Sequence, residues 1–88
     1  MSLIDPFFLE QLALTLTFGA QKYGTHNWRQ GIEMDRLLDA ALRHINSFND
    51  GHDLDEESGH PHLAHAAACL MMAMAFTNTK LDNRYRGE

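Results

Sequence analysis

Eighty-eight residues leave room for one hydrophobic core, and a chain that short buries only about 60 to 65% of its unfolded surface, so association with further copies is the expected remedy. Twelve acidic side chains against seven basic ones give a formal net charge of -5, which argues against the basic face that DNA or RNA binding needs. A nucleotide reached through a metal stays open, because acidic side chains then hold the cation.

Three helices are predicted. Asp5-Pro6 is a start signal, since Asp5 can accept from free amide groups and proline loses nothing at the first helical position. Phe8, Leu9, Leu12 and Leu16 recur at helical spacing, and the helix is expected to stop at Gly19 or Gly24. The stretch KYGTHNWRQGIEM that follows carries the turn-formers Gly24, Asn27 and Gly31. Its aromatic residues, Tyr23 and Trp28, either anchor the loop on the core or stack on a ligand.

In the second helix Met34, Leu38, Ala41, Ile45 and Phe48 repeat in steps of four and three, which predicts one narrow apolar stripe. Asp35 suits the positive end of the helix dipole, and Gly51 is the stop. Asp39 and Arg43, four apart, are expected to form a surface pair worth a few tenths of a kcal/mol.

The third helix is expected from Pro61 to about Thr77 and is apolar nearly all round. Leu63, Ala67, Leu70, Met71 and Met74 face one way, and Cys69, Met72 and Phe76 another. Such a helix must be covered on both sides, which two other helices of a short chain can hardly do. The second apolar side is therefore expected to lie in a homo-oligomer interface, of a dimer or tetramer. Cys69 has no partner for a disulfide and reads as an inert buried thiol of a reducing compartment. The apolar stretch Leu63 to Phe76 is broken by His65 and is too short to span a bilayer, and the N-terminus has no signal-peptide pattern. A soluble cytoplasmic protein without a membrane partner is expected, with one domain over residues 1–79 and a charged, flexible tail over 80–88.

Between the second and third helices lies DGHDLDEESGHPHLAH, which packs four of the six histidines and five of the twelve acidic residues into one stretch. His62 and His65, three apart, share a helix face that continues into Cys69, Met72 and Phe76. If the two helices form an antiparallel hairpin, His44 near the end of the first converges on them. Each imidazole alone reads as a half-buried histidine bonded to a backbone carbonyl. Three of them beside Asp53, Asp55 and Glu57 are costly to assemble without a charge to hold. Imidazoles favour zinc or another transition metal and carboxylates favour magnesium or manganese, so the metal stays open. A calcium loop fails, because Ser58 takes the glycine position and Ala64 that of the bidentate glutamate. There is no HExxH, P-loop or dinucleotide-binding glycine pattern, and His52-Asp53 alone is too weak to mark an HD phosphohydrolase.

Together KYGTHNWRQGI, LLDAALRHINSF and DGHDLDEESGHPHLAHAA resemble the N-terminal domain of the phage dATP/dGTP diphosphohydrolases, a family of the MazG-like all-α nucleotide pyrophosphohydrolases. The resemblance covers roughly Leu9 to Phe76. It implies an all-α, small helical bundle that forms oligomers, and cleavage of a (deoxy)purine nucleoside triphosphate to monophosphate and pyrophosphate in phage nucleotide metabolism. Position by position it points to Lys22, Tyr23, Asn27, Trp28, Arg29 and Arg43 for binding the nucleotide. His44, Asp55, Glu57, His62 and His65 are implied for catalysis, with Asp55, Glu57, His62 and His65 as metal ligands, for magnesium or manganese first. Asp39 and Ser58 also fall on motif positions. His52 stands where the family has an acid, and the EExxE metal-binding helix of typical MazG-like enzymes is absent from the chain. The alternative is a pocket that binds or sequesters a nucleotide or nucleotide-derived signal without turnover, as in phage anti-defence.

Overall fold

The computed structural model of the chain describes residues 3–24 and 27–83, apart from the side chains of Lys22, Tyr23 and Asn27. These contain three α-helices and no strand: α1 over Pro6–Tyr23, α2 over Met34–Asn49 and α3 over His62–Phe76, with a short 3-10 turn at Asn27–Gln30. The protein is all-α. Asp5 caps α1 through its side chain, which accepts from Phe8 N at 3.0 Å. The helix runs past Gly19 and ends at Gly24, whose φ of 99° is open to glycine and whose N–H donates to Ala20 O at 2.8 Å. Thr15 is buried in α1 without cost to its hydroxyl, which donates back to Gln11 O at 2.8 Å.

The helices α2 and α3 form an antiparallel hairpin. Met34 and Leu37 at the start of α2 meet Ala73 and Phe76 at the end of α3, and Trp28, Ile32, Cys69 and Met72 pack around this core. Alanines at 64, 66, 68 and 73 are buried along α3, and Ala73 sits in the core shared with Met34 and Leu37 of α2. The stripe expected along α2 is not the one buried: Met34, Leu37 and Ala41 face the core, while Leu38, Ile45 and Phe48 remain about 40% exposed. The helix is rotated by part of a turn, and that rotation carries His44, three residues beyond Ala41, into the hairpin. On α3 the outward residues Leu63, Leu70 and Met74 are 45%, 48% and 75% exposed.

The start of α2 has no side-chain cap of its own from Glu33. Its first amide, Met34 N, instead donates to Asn83 Oδ1 at 2.8 Å. The chain beyond α3 turns back to reach it, setting Leu81 beside Gly31, where φ is 116° and an added Cβ would lie 3.2 Å from Leu81 Cδ2. Residues 84–88 of the expected tail lie outside the described residues. The helix α1 packs on α3 and stands off α2. A radius of gyration of 13.7 Å, against about 12 Å for a close-packed chain of this length, reflects the cleft left between them. No helix among the described residues is long and apolar enough to cross a membrane.

Candidate functional site

The acidic loop is ordered by Asp55. Its Oδ2 accepts from Ser58 N at 2.9 Å and from the Ser58 hydroxyl at 3.0 Å, while Asp55 N donates to His60 O and Gly59 N donates to Asp55 O, both at 2.8 Å. Gly59, at φ 74°, supplies the left-handed residue that this reversal requires. Leu54 and Pro61 pair across the loop as an isolated antiparallel bridge. One of the free amides at the start of α3, His62 N, finds an acceptor in Asp53 O at 2.8 Å.

Three imidazoles meet over this loop. His44 Nδ1 lies 2.8 Å from His62 Nδ1, and the His44 and His65 rings stack with centroids 4.7 Å apart. Ser58 joins His65 to Asp55. Because its hydroxyl donates to Asp55 Oδ2, its lone pairs accept from His60 N at 3.1 Å and from His65 Nε2 at 2.7 Å. The network therefore assigns the His65 proton to Nε2 and leaves a lone pair on Nδ1. His60 lies edge-on to Phe18, which ties the loop to α1.

Burial and the neighbouring His65, His62 and Arg43 push His44 down to about 4, against which Asp55 pulls weakly upward. Burial likewise lowers His65, with Asp55 opposing it. Burial pushes the Asp55 carboxyl up, but the two bonds from Ser58 outweigh it and hold the group below its usual range. At neutral pH the cluster thus presents the ionised Asp55 carboxylate beside the neutral imidazoles of His44 and His65, protonation states suited to ligating a cation. His44, Asp55 and His62 each offer a ligand atom, all within 4.8 Å of one another. The 2.8 Å between the two Nδ1 atoms is close to the roughly 3.0 Å between neighbouring donors around an octahedral ion with bonds of about 2.1 Å. The residues fit a divalent metal. His65 is tied instead to Ser58, and Glu57 stands exposed on the same loop, at the edge of the adjoining cleft.

That cleft, of about 940 Å³, is bounded by α1, the 3-10 turn, α2 and α3, and reaches His44, Asp55 and His65. Arg29 and Arg43 line it, as does Trp28. The Trp28 ring packs against Phe76 with centroids 5.8 Å apart and carries the Arg29 guanidinium 4.6 Å from its own centroid. A base could stack on that face only after Arg29 had left it. Cys69 also borders the cleft, its thiol pushed up by burial and so kept protonated. The side chains of Lys22, Tyr23 and Asn27 lie outside the described residues. Asp39 and His52 are exposed. Sequence reasoning placed Ser58 on a motif position but missed its bridging role; its place three residues after Asp55 is the signal for it.

A small all-helical chain with a nucleotide-sized cleft ending in a carboxylate–imidazole cluster defines a class; the comparisons define a family. Residues 1–84 match the family described as dATP/dGTP diphosphohydrolase, N-terminal. The chain belongs to this family. A curated relative, the "dATP/dGTP diphosphohydrolase" of Salmonella phage PMBT28, is 46% identical over 80 residues, which make up 91% of this chain and 27% of the relative. The chain therefore spans little more than a quarter of that relative's length. No solved structure matches it.

Proposed function

We propose that the cleft binds a (deoxy)purine nucleoside triphosphate and that this chain hydrolyses it to the monophosphate and pyrophosphate with a divalent metal. The cluster of His44, Asp55 and His62 carries the reading, and the name of the phage relative supports it. His44 and Asp55 line one end of the cleft, and His62 lines the small cavity that shares these two residues with it. His44 and His62 would hold the cation through Nδ1 and Asp55 through its carboxylate, with Glu57 reaching in from the same loop. Two imidazoles and a carboxylate suit manganese or another transition metal better than magnesium, which prefers oxygen donors throughout. A cation at that site supplies charge neutralisation on the phosphoryl oxygens and activation of the attacking water. His65, its Nε2 proton tied to Ser58, accepts the water's proton at Nδ1 as the water adds to the α-phosphorus. The bond from that phosphorus to the bridging oxygen breaks, and pyrophosphate leaves with the bond's electron pair. Arg29 and Arg43 neutralise the phosphate charge. Capture of a nucleotide without turnover is the second reading, favoured by a cluster with only one carboxylate among its three donors.

Incubation with a panel of deoxynucleoside triphosphates and manganese or magnesium, followed by anion-exchange chromatography, tests the proposal. Monophosphate with pyrophosphate is expected from the purine substrates. Unaltered nucleotide that co-elutes with the protein supports capture, and nucleotide neither bound nor cleaved overturns both.

The apolar side of α3 at Leu63, Leu70 and Met74 we propose as the contact between copies of the chain. In the single chain these side chains stand in water, and each gains about 25 cal/mol per Å² on being covered.

A further inference from the structure

Arg29, Arg36 and Arg43 follow one another at intervals of seven, and all three line the cleft. The whole chain has only seven basic side chains and a net charge of -5, so the cleft holds a cationic strip in an acidic protein. Arg36 and Arg43 stand two turns apart along α2, about 10.5 Å by helical rise, next to Leu37 and His44 at the same interval. Arg43 lines a small cavity together with His44, Asp55 and His62, which sets it at the cluster end. Arg29 enters from the 3-10 turn, held on Trp28 at 4.6 Å. Among the described residues other than Glu57 and Asp82, no carboxylate forms an ion pair with any of the three, and the surface pair expected between Asp39 and Arg43 is not made. Guanidiniums in an acidic chain ordinarily find carboxylates. Three that face one cavity, with no ion pair among those residues, are placed for an anion with several charges.

We propose that Arg29, Arg36 and Arg43 form a polyphosphate track along the cleft towards His44, with Trp28 as the residue that positions Arg29, so that ligands are selected by their number of phosphates. The proposal rests on the nucleotide reading of the cleft and adds Arg36 to it. One phosphate cannot touch guanidiniums two turns apart unless both side chains fold along the helix, whereas a chain of three spans them. Each phosphate engaged adds charge-assisted, bidentate bonds. A ligand cut back to one phosphate loses most of them, which favours release of a monophosphate over retention.

Calorimetric titration of the chain with inorganic tripolyphosphate, pyrophosphate and orthophosphate, without divalent metal, tests this. Affinity is expected to fall in that order and to weaken with added salt. Arg36→Gln, at an exposed position, should bind tripolyphosphate about tenfold more weakly and orthophosphate almost unchanged. Trp28→Phe, which keeps an aromatic face, should bind as the parent does. Trp28→Leu should lose as much as Arg29→Gln, and the double variant no more than either. Equal affinity for the three anions, no binding of tripolyphosphate, or an Arg36→Gln protein with parental affinity would each overturn the track. Purine triphosphates cleaved normally by that variant, with KM unchanged, would overturn the track and leave the hydrolase reading standing. Tripolyphosphate bound through Arg36 with no nucleotide bound or cleaved would do the reverse.

Discussion

His44 and His65 lie face to face, their ring planes 13° from parallel and their centroids 4.7 Å apart. Two imidazolium ions cannot share that stack, and the Nδ1 of His62 closes on His44 from the side. The folded chain therefore refuses a proton on His44 down to about pH 4, whereas the unfolded chain accepts one near its ordinary value of 6.5. Between these values the unfolded state binds more protons, so folding stability is complete above pH 6.5 and is lost as the pH falls towards 4. The lowered His65 acts with the same sign, and Asp55 extends the loss to pH values below its usual 3.8. Urea midpoints at pH 7.5 and 4.5 should differ, and His44→Gln should flatten the difference. An equal acid loss in the variant would sink the assignment.

Manganese or zinc should raise the melting temperature, through ligands supplied by His44, Asp55 and His62. At a hundredfold excess of free metal over Kd the gain is about 2.7 kcal/mol, or roughly 15 °C for a chain of this size. Asp55→Asn should abolish the rise while the apo protein stays folded. A full rise in that variant, followed by differential scanning calorimetry, would remove Asp55 from the site.

Ser58→Ala should destabilise the apo protein by about 1 to 3 kcal/mol, because the half-buried His65 Nε2–H loses its acceptor. The bond from the backbone amide of residue 58 to Asp55 does not need the hydroxyl, so the loop keeps its turn. Nitrogen chemical shifts of the imidazole check the tautomer: in the parent His65 should carry its proton on Nε2, and in the variant that preference should relax.

Met74→Glu separates interface from core. At 75% exposure the change should move the single chain's stability by no more than about 0.5 kcal/mol. In a contact between copies the same carboxylate, desolvated and unpaired, costs several kcal/mol. Sedimentation equilibrium at micromolar concentration should show an oligomer for the parent and a monomer for the variant. A monomeric parent refutes the interface.

Helix boundaries were legible where local chemistry acts alone. Asp5-Pro6 marked the start of α1, and the glycines at 24 and 51 bracket what the periodicity showed. The face of α2 was not legible, because leucines occupy both 37 and 38 and either choice makes a stripe. Only the tertiary partner, Phe76 with Ala73, selects Leu37. The spacing of His62 and His65, with hairpin logic for His44, brought the imidazoles to one end of the molecule. The 2.8 Å approach of two Nδ1 atoms and the service of Ser58 between Asp55 and His65 depend on ring rotations and loop closure, which periodicity does not encode. The place of Arg29 on Trp28 was hidden for the same reason: it depends on the side-chain rotations of two neighbours, which spacing does not encode.

The bond from Met34 N to Asn83 Oδ1 joins positions 49 residues apart, and this sets an order on how the chain completes itself during synthesis. A helix capped by its own neighbour is finished once its first turns have left the ribosome. Here α2 emerges early with no local side-chain cap, and the bond that caps its first amide is available only after residue 83 has been made. Closing so long a loop is slow compared with helix growth. That first turn holds Arg36 and Leu37, which wall the cleft. The imidazole end, built from neighbours across one short loop, can assemble sooner. Of the two ends of the cleft, the one set around His44 and Asp55 has all its residues earlier, and the far wall receives its cap later.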